Sequence, residues 1–308
     1  MIMKPRKLPK ELLLLRMLKP RMLFSEEHTL QYENMEKGYE GEVIFDSWLK
    51  NITFDSIILN DLLLKVNQSE FQIDSLLIYS KGIIIFEVKN YRGDFYIDQN
   101  GKWFTISNKD IQNPILQVQR AETLFKQLLR QYRSPHFQLK PFVIFTNQEF
   151  TLFQTPLNLP LILPNQINHF MYKLNNTSTS NLTQQYYDLA NKLLASHIEK
   201  SPYSRLPKYE FDHLDKGVVC PQCQSFMSAQ QHKFTCDSCG FIEPKSIGII
   251  RSINEFQLLF PDKKIKSKDI YDWIGHVAGR KTIRQLLIKN CNRVGYGAGT
   301  FFVYEGTL

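Results

Sequence analysis

The sequence predicts an α/β core, a mixed sheet flanked by helices, followed by a small cysteine-bearing module and a small basic α+β domain. Three observations carry that expectation. Helical and strand-like apolar patterns alternate between residues 36 and 165. Four of the five cysteines fall in two CxxC pairs. From Lys245 to Arg293, basic residues outnumber acidic ones eleven to four. At 308 residues the chain is expected to form two or three domains. With 43% hydrophobic and 22% charged residues, wholesale disorder and collagen-like or disulfide-dense scaffolds are excluded. A formal net charge of +8 suits a polyanionic partner.

Residues 1–35 read as a basic, Leu-rich extension. Arg16 and Lys19 interrupt its apolar run Leu12-Leu13-Leu14-Leu15, and no small-residue cleavage site follows. The run is far short of the roughly 20 residues that a bilayer span requires. It reads as an amphipathic leader packed on the protein, with a membrane surface as the alternative. No integral membrane segment is expected elsewhere, and the default address is cytoplasmic.

Residues 36–165 carry the α/β pattern. Thr29 to Lys50 ends in an amphipathic helix through Val43, Ile44, Trp48 and Leu49. Three segments rich in β-branched and aromatic residues follow as strands: Ile57 to Val66, Phe71 to Tyr79 and Ile83 to Lys89. Asn113-Pro114 opens a long helix through Ile115, Val118, Ala121, Leu124, Phe125, Leu128 and Leu129. Phe142 to Phe145 is a buried strand. Residues 166–216 read as a helical connection: an Asn/Thr/Ser loop at 175–180, a helix from about Leu182 to Ile198, and an end at Ser201-Pro202. Residues 217–245 hold the cysteines, and 246–308 form the basic tail.

Glu87-Val88-Lys89 closes an apolar strand, while Asp74 interrupts the strand before it. A two-residue loop at Ser80-Lys81 would set Asp74 opposite Glu87, and one at Lys81-Gly82 would set it opposite Lys89. Either loop gathers Asp74, Glu87 and Lys89 on one sheet face, because side chains alternate with a period of two. A three-residue loop would set Asp74 opposite Val88 and scatter them. Two carboxylates supply hard oxygen ligands for Mg²⁺ or Mn²⁺, the ion acidifies a water and polarises a phosphoryl oxygen, and a lysine steadies charge on phosphate. The plain alternative is a salt bridge of Lys89 with Asp74 or Glu87.

These residues resemble a known family. Gly38-Tyr39-Glu40-Gly41-Glu42, Phe71-Gln72-Ile73-Asp74, the run Gly82 to Gly93 and Asn113-Pro114-Ile115-Leu116-Gln117 look like the NERD (nuclease-related) domain of the PD-(D/E)xK nuclease superfamily. The resemblance covers roughly residues 36 to 150 and implies a restriction-endonuclease-like core of order αβββαβ. It implies that Asp74 and Glu87 are metal ligands and Lys89 the catalytic lysine. It also implies roles for Glu42 as an additional acidic residue and Gln117 as an auxiliary glutamine. Against these stand plainer readings: Glu42 as an exposed helix residue, Gln117 as a helix-start residue, Gly38 and Gly41 as aids to close packing. Asn90 and Arg92 trail the lysine, where they would touch phosphate or sit in a solvated loop.

Cys220-Pro221-Gln222-Cys223 and Cys236-Asp237-Ser238-Cys239-Gly240 are two knuckles separated by twelve residues. Four thiolates at this spacing close a tetrahedral Zn²⁺ site with no open position, which makes the metal structural. The module resembles a zinc ribbon. Two disulfides would need an oxidising compartment. Cys291 reads as a buried thiol.

In the tail, Ser267 is read as the cap of a helix through Ile274, His276 to Gly279 as a turn, Arg280 to Asn290 as a second helix, and Thr300 to Tyr304 as a strand. That order resembles a winged helix-turn-helix, whose second helix would enter a DNA groove. Arg280, Lys281, Arg284 and Arg293 are the nucleic-acid-binding candidates, with a packing or oligomerisation domain as the alternative.

The function expected is a metal-dependent nuclease acting on DNA. Two alternatives accompany it: a non-catalytic nucleic-acid-binding or regulatory protein that uses the nuclease fold as a docking platform, and an RNA-directed nuclease.

Overall fold

The computed structural model describes residues 1–134, 136–177, 180–199 and 205–304. The chain begins with β1 (Ile2–Lys4), α1 (Lys10–Leu18) and α2 (Glu26–Leu49). Then come β2 (Ser56–Val66), β3 (Ser69–Tyr79), β4 (Gly82–Lys89), β5 (Gly93–Ile97), β6 (Trp103–Thr105) and β7 (Asp110–Ile111). Next are α3 (Pro114–Gln131), β8 (Leu139–Phe145), β9 (Phe150–Phe153), β10 (Leu161–Ile162), α4 (Ile167–Asn175) and α5 (Gln184–Ala195). The last part holds β11 (Ser228–Ala229), β12 (Lys233–Thr235), β13 (Ile242–Pro244), α6 (Lys245–Leu259), α7 (Ser267–Trp273), α8 (Arg280–Asn290), β14 (Asn292–Val294) and β15 (Phe301–Val303).

Two compact units divide the chain. The first comprises Met1–Leu8 and Glu33–Ser204, the second Pro9–Tyr32 and Arg205–Leu308. The expected extension 1–35 is therefore shared between them and is no free-standing region. The expected ends of the helical connection at Ser201-Pro202, and Ser178 and Thr179 of its loop, lie outside the described residues.

In the first unit a six-stranded mixed sheet runs in the order β1-β2-β3-β4-β8-β10. The hairpins β2–β3 and β3–β4 are antiparallel, whereas β1, β8 and β10 pair in parallel with their neighbours. Helices cover both faces. Ile83 and Ile85 of β4 pack with Ile115, Val118, Ala121 and Phe125 of α3 and with Leu189 and Leu193 of α5. Ile84, Phe86 and Val88 pack with Phe45 and Leu49 of α2 and Leu174 of α4. This is the expected helix, three strands, helix, strand, with the expected face alternation along β4. A second sheet, β7-β6-β5-β9, follows directly on β4 and has no counterpart in the sequence reading. Its strands are two to five residues long, too short for a period of two to register.

One irregularity interrupts the β2–β3 pairing. The β2–β3 ladder skips the facing pair Asp61 and Asp74, between Asn60↔Ser75 and Leu62↔Ile73. Asp61 has a left-handed φ of 53°, and on either side of it Leu59 and Leu62 both face α3. Lys4 Nζ fixes this kink by donating to the carbonyls of Asn60 and Asp61, at 2.9 and 2.7 Å.

The second unit is built on one core. Phe234, Cys220, Cys236 and Met227 of the three-stranded cysteine module pack with Ile249, Ile253 and Phe256 of α6, Trp273 of α7, Ile283 and Leu287 of α8, and Leu14 and Leu18 of α1. The Leu-rich run thus packs on protein, as expected. Arg21 just beyond it is fully buried. Its guanidinium pairs with Glu255 at 2.8 and 3.0 Å, donates to the carbonyls of Asp215 and Gly217, and stands 3.9 Å from the Trp273 ring centre. Removing either member of such a pair strands a buried charge, which costs about 3–5 kcal/mol.

Helix α6 is absent from the sequence reading, because Ile247, Ile249 and Ile250 are β-branched and Gly248 sits among them, a pattern that resembles a strand as much as a helix. Ser267 is the first residue of α7 and not its cap; the Asp269 carboxylate instead accepts from the Lys266 N–H at 3.3 Å. Beyond α8, β14 and β15 form an antiparallel hairpin, and Phe302 also bridges to Ile265. Cys291 is half-buried at the end of α8, with burial pushing its thiol up to about 11.

Candidate functional site

The β3–β4 hairpin turns at Ser80-Lys81 and pairs Tyr79 with Gly82, the first of the two expected registers. Its ladder ends at Ser75↔Phe86. Past that pair the strands part, while β4 continues alongside β8 to Lys89↔Phe145. The parting exposes backbone groups that must find other partners. The Asp74 carboxylate takes the Val88 N–H at 2.8 Å, and the Asp74 carbonyl receives Arg6 Nη2 at 2.7 Å. Asp74 is thereby fixed where β4 presents Glu87 and Lys89, which share a face and form an ion pair of 2.7 Å. Their side chains keep 14% and 16% of their exposure, so water reaches them.

Helix α2 brings Glu42 to the same place. Gly41 makes the approach possible: a Cβ there would lie 2.5 Å from Asn90 Cβ and 2.9 Å from Thr146 Oγ1. At Gly38 nothing lies within 4 Å, so that glycine serves no packing contact. Asn90 ties the strand end to the helix by donating to the Lys37 carbonyl at 2.8 Å. Arg92 pairs with Glu149 on the exposed surface.

The site also contains two residues that the sequence reading misses. Arg6, with only 3% of its side chain exposed, donates to Glu42 at 2.6 Å and to both oxygens of Asp46 at 3.0 and 3.1 Å. A further bond joins it to Ser75 Oγ at 3.0 Å. Nothing in the sequence sets Arg6 apart from Lys4, Lys7 and Lys10 around it. Asp46 did leave a signal, since it follows Glu42 by four residues and so shares its helix face.

The electrostatics are those of a crowded acid cluster. Burial, then the charges of Glu87 and Glu42, push the Asp74 carboxyl well above the usual carboxylate range, against the Val88 N–H and Lys89. Burial also raises Glu42 to about 7; Arg6 opposes the shift, while Asp61, Asp46 and Glu87 add to it. Burial works against the charge of Lys89, but Glu87, Tyr91 and Asp74 together outweigh it and hold the ammonium above its ordinary value. Hard oxygen donors with negative charge in excess of their cations fit a divalent ion such as Mg²⁺ or Mn²⁺. Asp74 and Glu87 are the residues that could hold it.

Gln117 stands half-buried in the first turn of α3. It does not cap the helix; Asn113 does, accepting from the Ile115 N–H at 2.9 Å. Among the described residues, no hydrogen bond or ion pair joins Gln117 to the carboxylates.

In the second unit, the sulfurs of Cys220, Cys223, Cys236 and Cys239 lie within 4.8 Å of one another. Cys220 and Cys239 are 3.7 Å apart, Cys223 and Cys236 3.3 Å. Zn–S bonds of about 2.3 Å in a tetrahedron require sulfurs about 3.8 Å apart, so the cluster could hold zinc. The knuckles are built alike, with Gln224 and Gly240 donating to the carbonyls of Cys220 and Cys236 from left-handed backbone at φ 62° and 76°. The Ser225 backbone N–H leads in drawing the Cys223 thiol down to about 6.

Arg280, Lys281, Arg284 and Arg293 line one cleft of about 460 Å³ between α8 and the β14–β15 hairpin, with Ser267 and Thr300. Arg280 lies over the Tyr271 ring at 4.9 Å and Arg293 over Tyr296 at 5.8 Å. Among the described residues none of the four has a carboxylate partner, and no helix is long and apolar enough to cross a membrane.

No curated protein and no solved structure matches the chain. A family model does match, over a stretch that takes in Gly38 to Glu42, Asp74, Glu87, Lys89 and Gln117. That match is to the NERD, nuclease-related domain, over residues 37–146.

Proposed function

We propose that the protein is a Mg²⁺- or Mn²⁺-dependent nuclease that hydrolyses DNA phosphodiester bonds. One observation carries the proposal: Asp74, Glu87 and Lys89 converge where β3 and β4 part, inside the nuclease-related domain. Asp74 and Glu87 would hold the divalent ion. When bound, such an ion supplies Lewis-acid polarisation of a phosphoryl oxygen and an acidified water. Lys89, kept charged by Glu87, orients the attacking water or steadies charge on the phosphate. Glu42 serves as a further acidic group, poised near neutrality. Gln117 takes the auxiliary role that its motif position suggests.

The second unit is assigned to nucleic-acid binding. Its cysteine cluster would take a structural Zn²⁺. The order α7, α8 and hairpin supports a winged-helix reading, with Arg280, Lys281, Arg284 and Arg293 meeting phosphates. Free thiols suit a reducing compartment, which favours the cytoplasm.

The test is nicking of supercoiled plasmid by the zinc-loaded chain with Mg²⁺ or Mn²⁺. Asp74→Ala and Lys89→Ala are expected to lower cleavage by about 10²–10⁴-fold, the scale of a lost catalytic group, while leaving DNA binding intact. A wild type that binds but never cuts is a docking platform. One whose cleavage is competed far better by RNA than by DNA is an RNA-directed nuclease.

A further inference from the structure

We propose that Arg6 is the permanent second cation of the centre, a positioning residue that occupies Glu42 and Asp46 and limits the site to one divalent ion. The inference rests on the reading of Asp74 and Glu87 as ligands of that ion. Two-metal phosphodiesterases clamp the attacking and leaving oxygens with ions about 3.5–4 Å apart, which takes acidic side chains on both sides of the phosphate. This centre has such a set, with Asp74 and Glu87 on the strands and Glu42 and Asp46 on α2. The α2 half is already engaged. Both oxygens of Asp46 and Oε2 of Glu42 accept from one guanidinium that is almost wholly buried.

Arg6 is also held from the strand side, by the Asp74 carbonyl and Ser75 Oγ. It therefore spans from helix to sheet as a bridging ion would, but carries a charge that cannot be removed by chelation or titration. The charge count agrees. With all four ionised, as an ion bound among them would favour, Glu42, Asp46, Asp74 and Glu87 face Arg6 and Lys89 with a surplus of two negative charges, enough for one divalent ion. Asp61, whose charge also reaches Glu42, has Lys4 beside it.

The experiment counts Mn²⁺ ions bound by the zinc-loaded, full-length chain, using electron paramagnetic resonance of free and bound Mn²⁺. Wild type is expected to bind one. Arg6→Met frees Glu42 and Asp46 and is expected to bind two, with the line broadening of ions about 4 Å apart. Arg6→Lys keeps the charge and is expected to bind one, while cleavage at saturating Mn²⁺ falls about 10–100-fold, the usual effect of losing an outer-shell partner. Two ions on wild type, or one on a folded Arg6→Met, overturns the proposal. Should Arg6→Met fail to fold, Glu42→Gln decides. It is expected to keep one ion, and loss of that ion overturns the proposal by making Glu42 a direct ligand. A wild type that binds no Mn²⁺ overturns the nuclease reading itself, and this inference with it.

Discussion

The carboxylates of the first unit and the thiols of the second gather in opposite ways. The four cysteines come from two local turns, each closing over its own backbone, and their sulfurs all lie within 4.8 Å of one another. The carboxylates come from a helix and two strands, meet only where a ladder breaks, and remain partly open to water. A closed set of soft ligands suits a metal that holds a fold. An open set of hard ligands, strained by its own charge, suits a metal that meets a substrate. On the proposed reading, stability and chemistry would fall to separate ligand sets, and each should be perturbable without the other.

The largest expected effect is on the closed set. Structural zinc sites contribute on the order of 10 kcal/mol to folding, and here the cysteine module shares its core with α1, α6, α7 and α8. Cys236→Ser should therefore unfold much more than residues 217–245, erasing amide protection throughout the second unit in hydrogen exchange. Mn²⁺ binding by the first unit should persist. Its loss would break the distinction between the two sets.

Next in size is Gly41→Ala, whose Cβ would meet Asn90 and Thr146. Overpacking of this kind costs about 1–3 kcal/mol, and pushing α2 outward should also lower cleavage. Gly38→Ala, one turn earlier and facing open space, should instead stabilise the helix by up to about 1 kcal/mol. Thermal melts of the two variants check the contrast.

A pH series reads the strain in the open set. Glu42 lies near 7 in the fold against an ordinary 4.5. A carboxyl raised on folding contributes stability that is fully present below 4.5 and lost as pH climbs through 7. Without added divalent ions the first unit's melting temperature should fall across that window. Added Mg²⁺ should raise it more at pH 8 than at pH 5; an equal gain at both would argue against an ion among these carboxylates. The smallest effect is expected at the basic cleft. Arg284→Ala should weaken DNA binding about equally for all sequences and reduce the slope of log affinity against log salt by about one.

The sequence made some of this legible. The alternation of β4 put Glu87 and Lys89 on one face, and the tight turn at Ser80-Lys81 set the register that ends the ladder beside Asp74, where the Val88 N–H holds its carboxylate. The cysteine spacing revealed the thiol cluster, because both knuckles are local. Arg6 stayed hidden because its partners lie about 40 and 70 positions away. No periodicity reports contacts at that range. The same holds for Arg21, whose partner Glu255 is 234 positions distant, and for the split of residues 1–35 between two units. Gln117 marks the limit of motif position: its place on α3 followed from Asn113-Pro114, but no hydrogen bond or ion pair among the described residues ties it to the carboxylates.

The interleaving of the units has a consequence for synthesis. Residues 9–32 leave the ribosome early, yet the rest of their unit begins only at 205. At roughly 5–20 residues per second, the intervening stretch takes on the order of ten seconds or more to emerge. For that interval Leu14 and Leu18, both part of the second unit's core in the finished protein, have no such core to join. Nascent chains stalled before residue 205 are expected to bind a hydrophobic-segment chaperone and to release it once α6 is out; equal binding at both lengths would refute this.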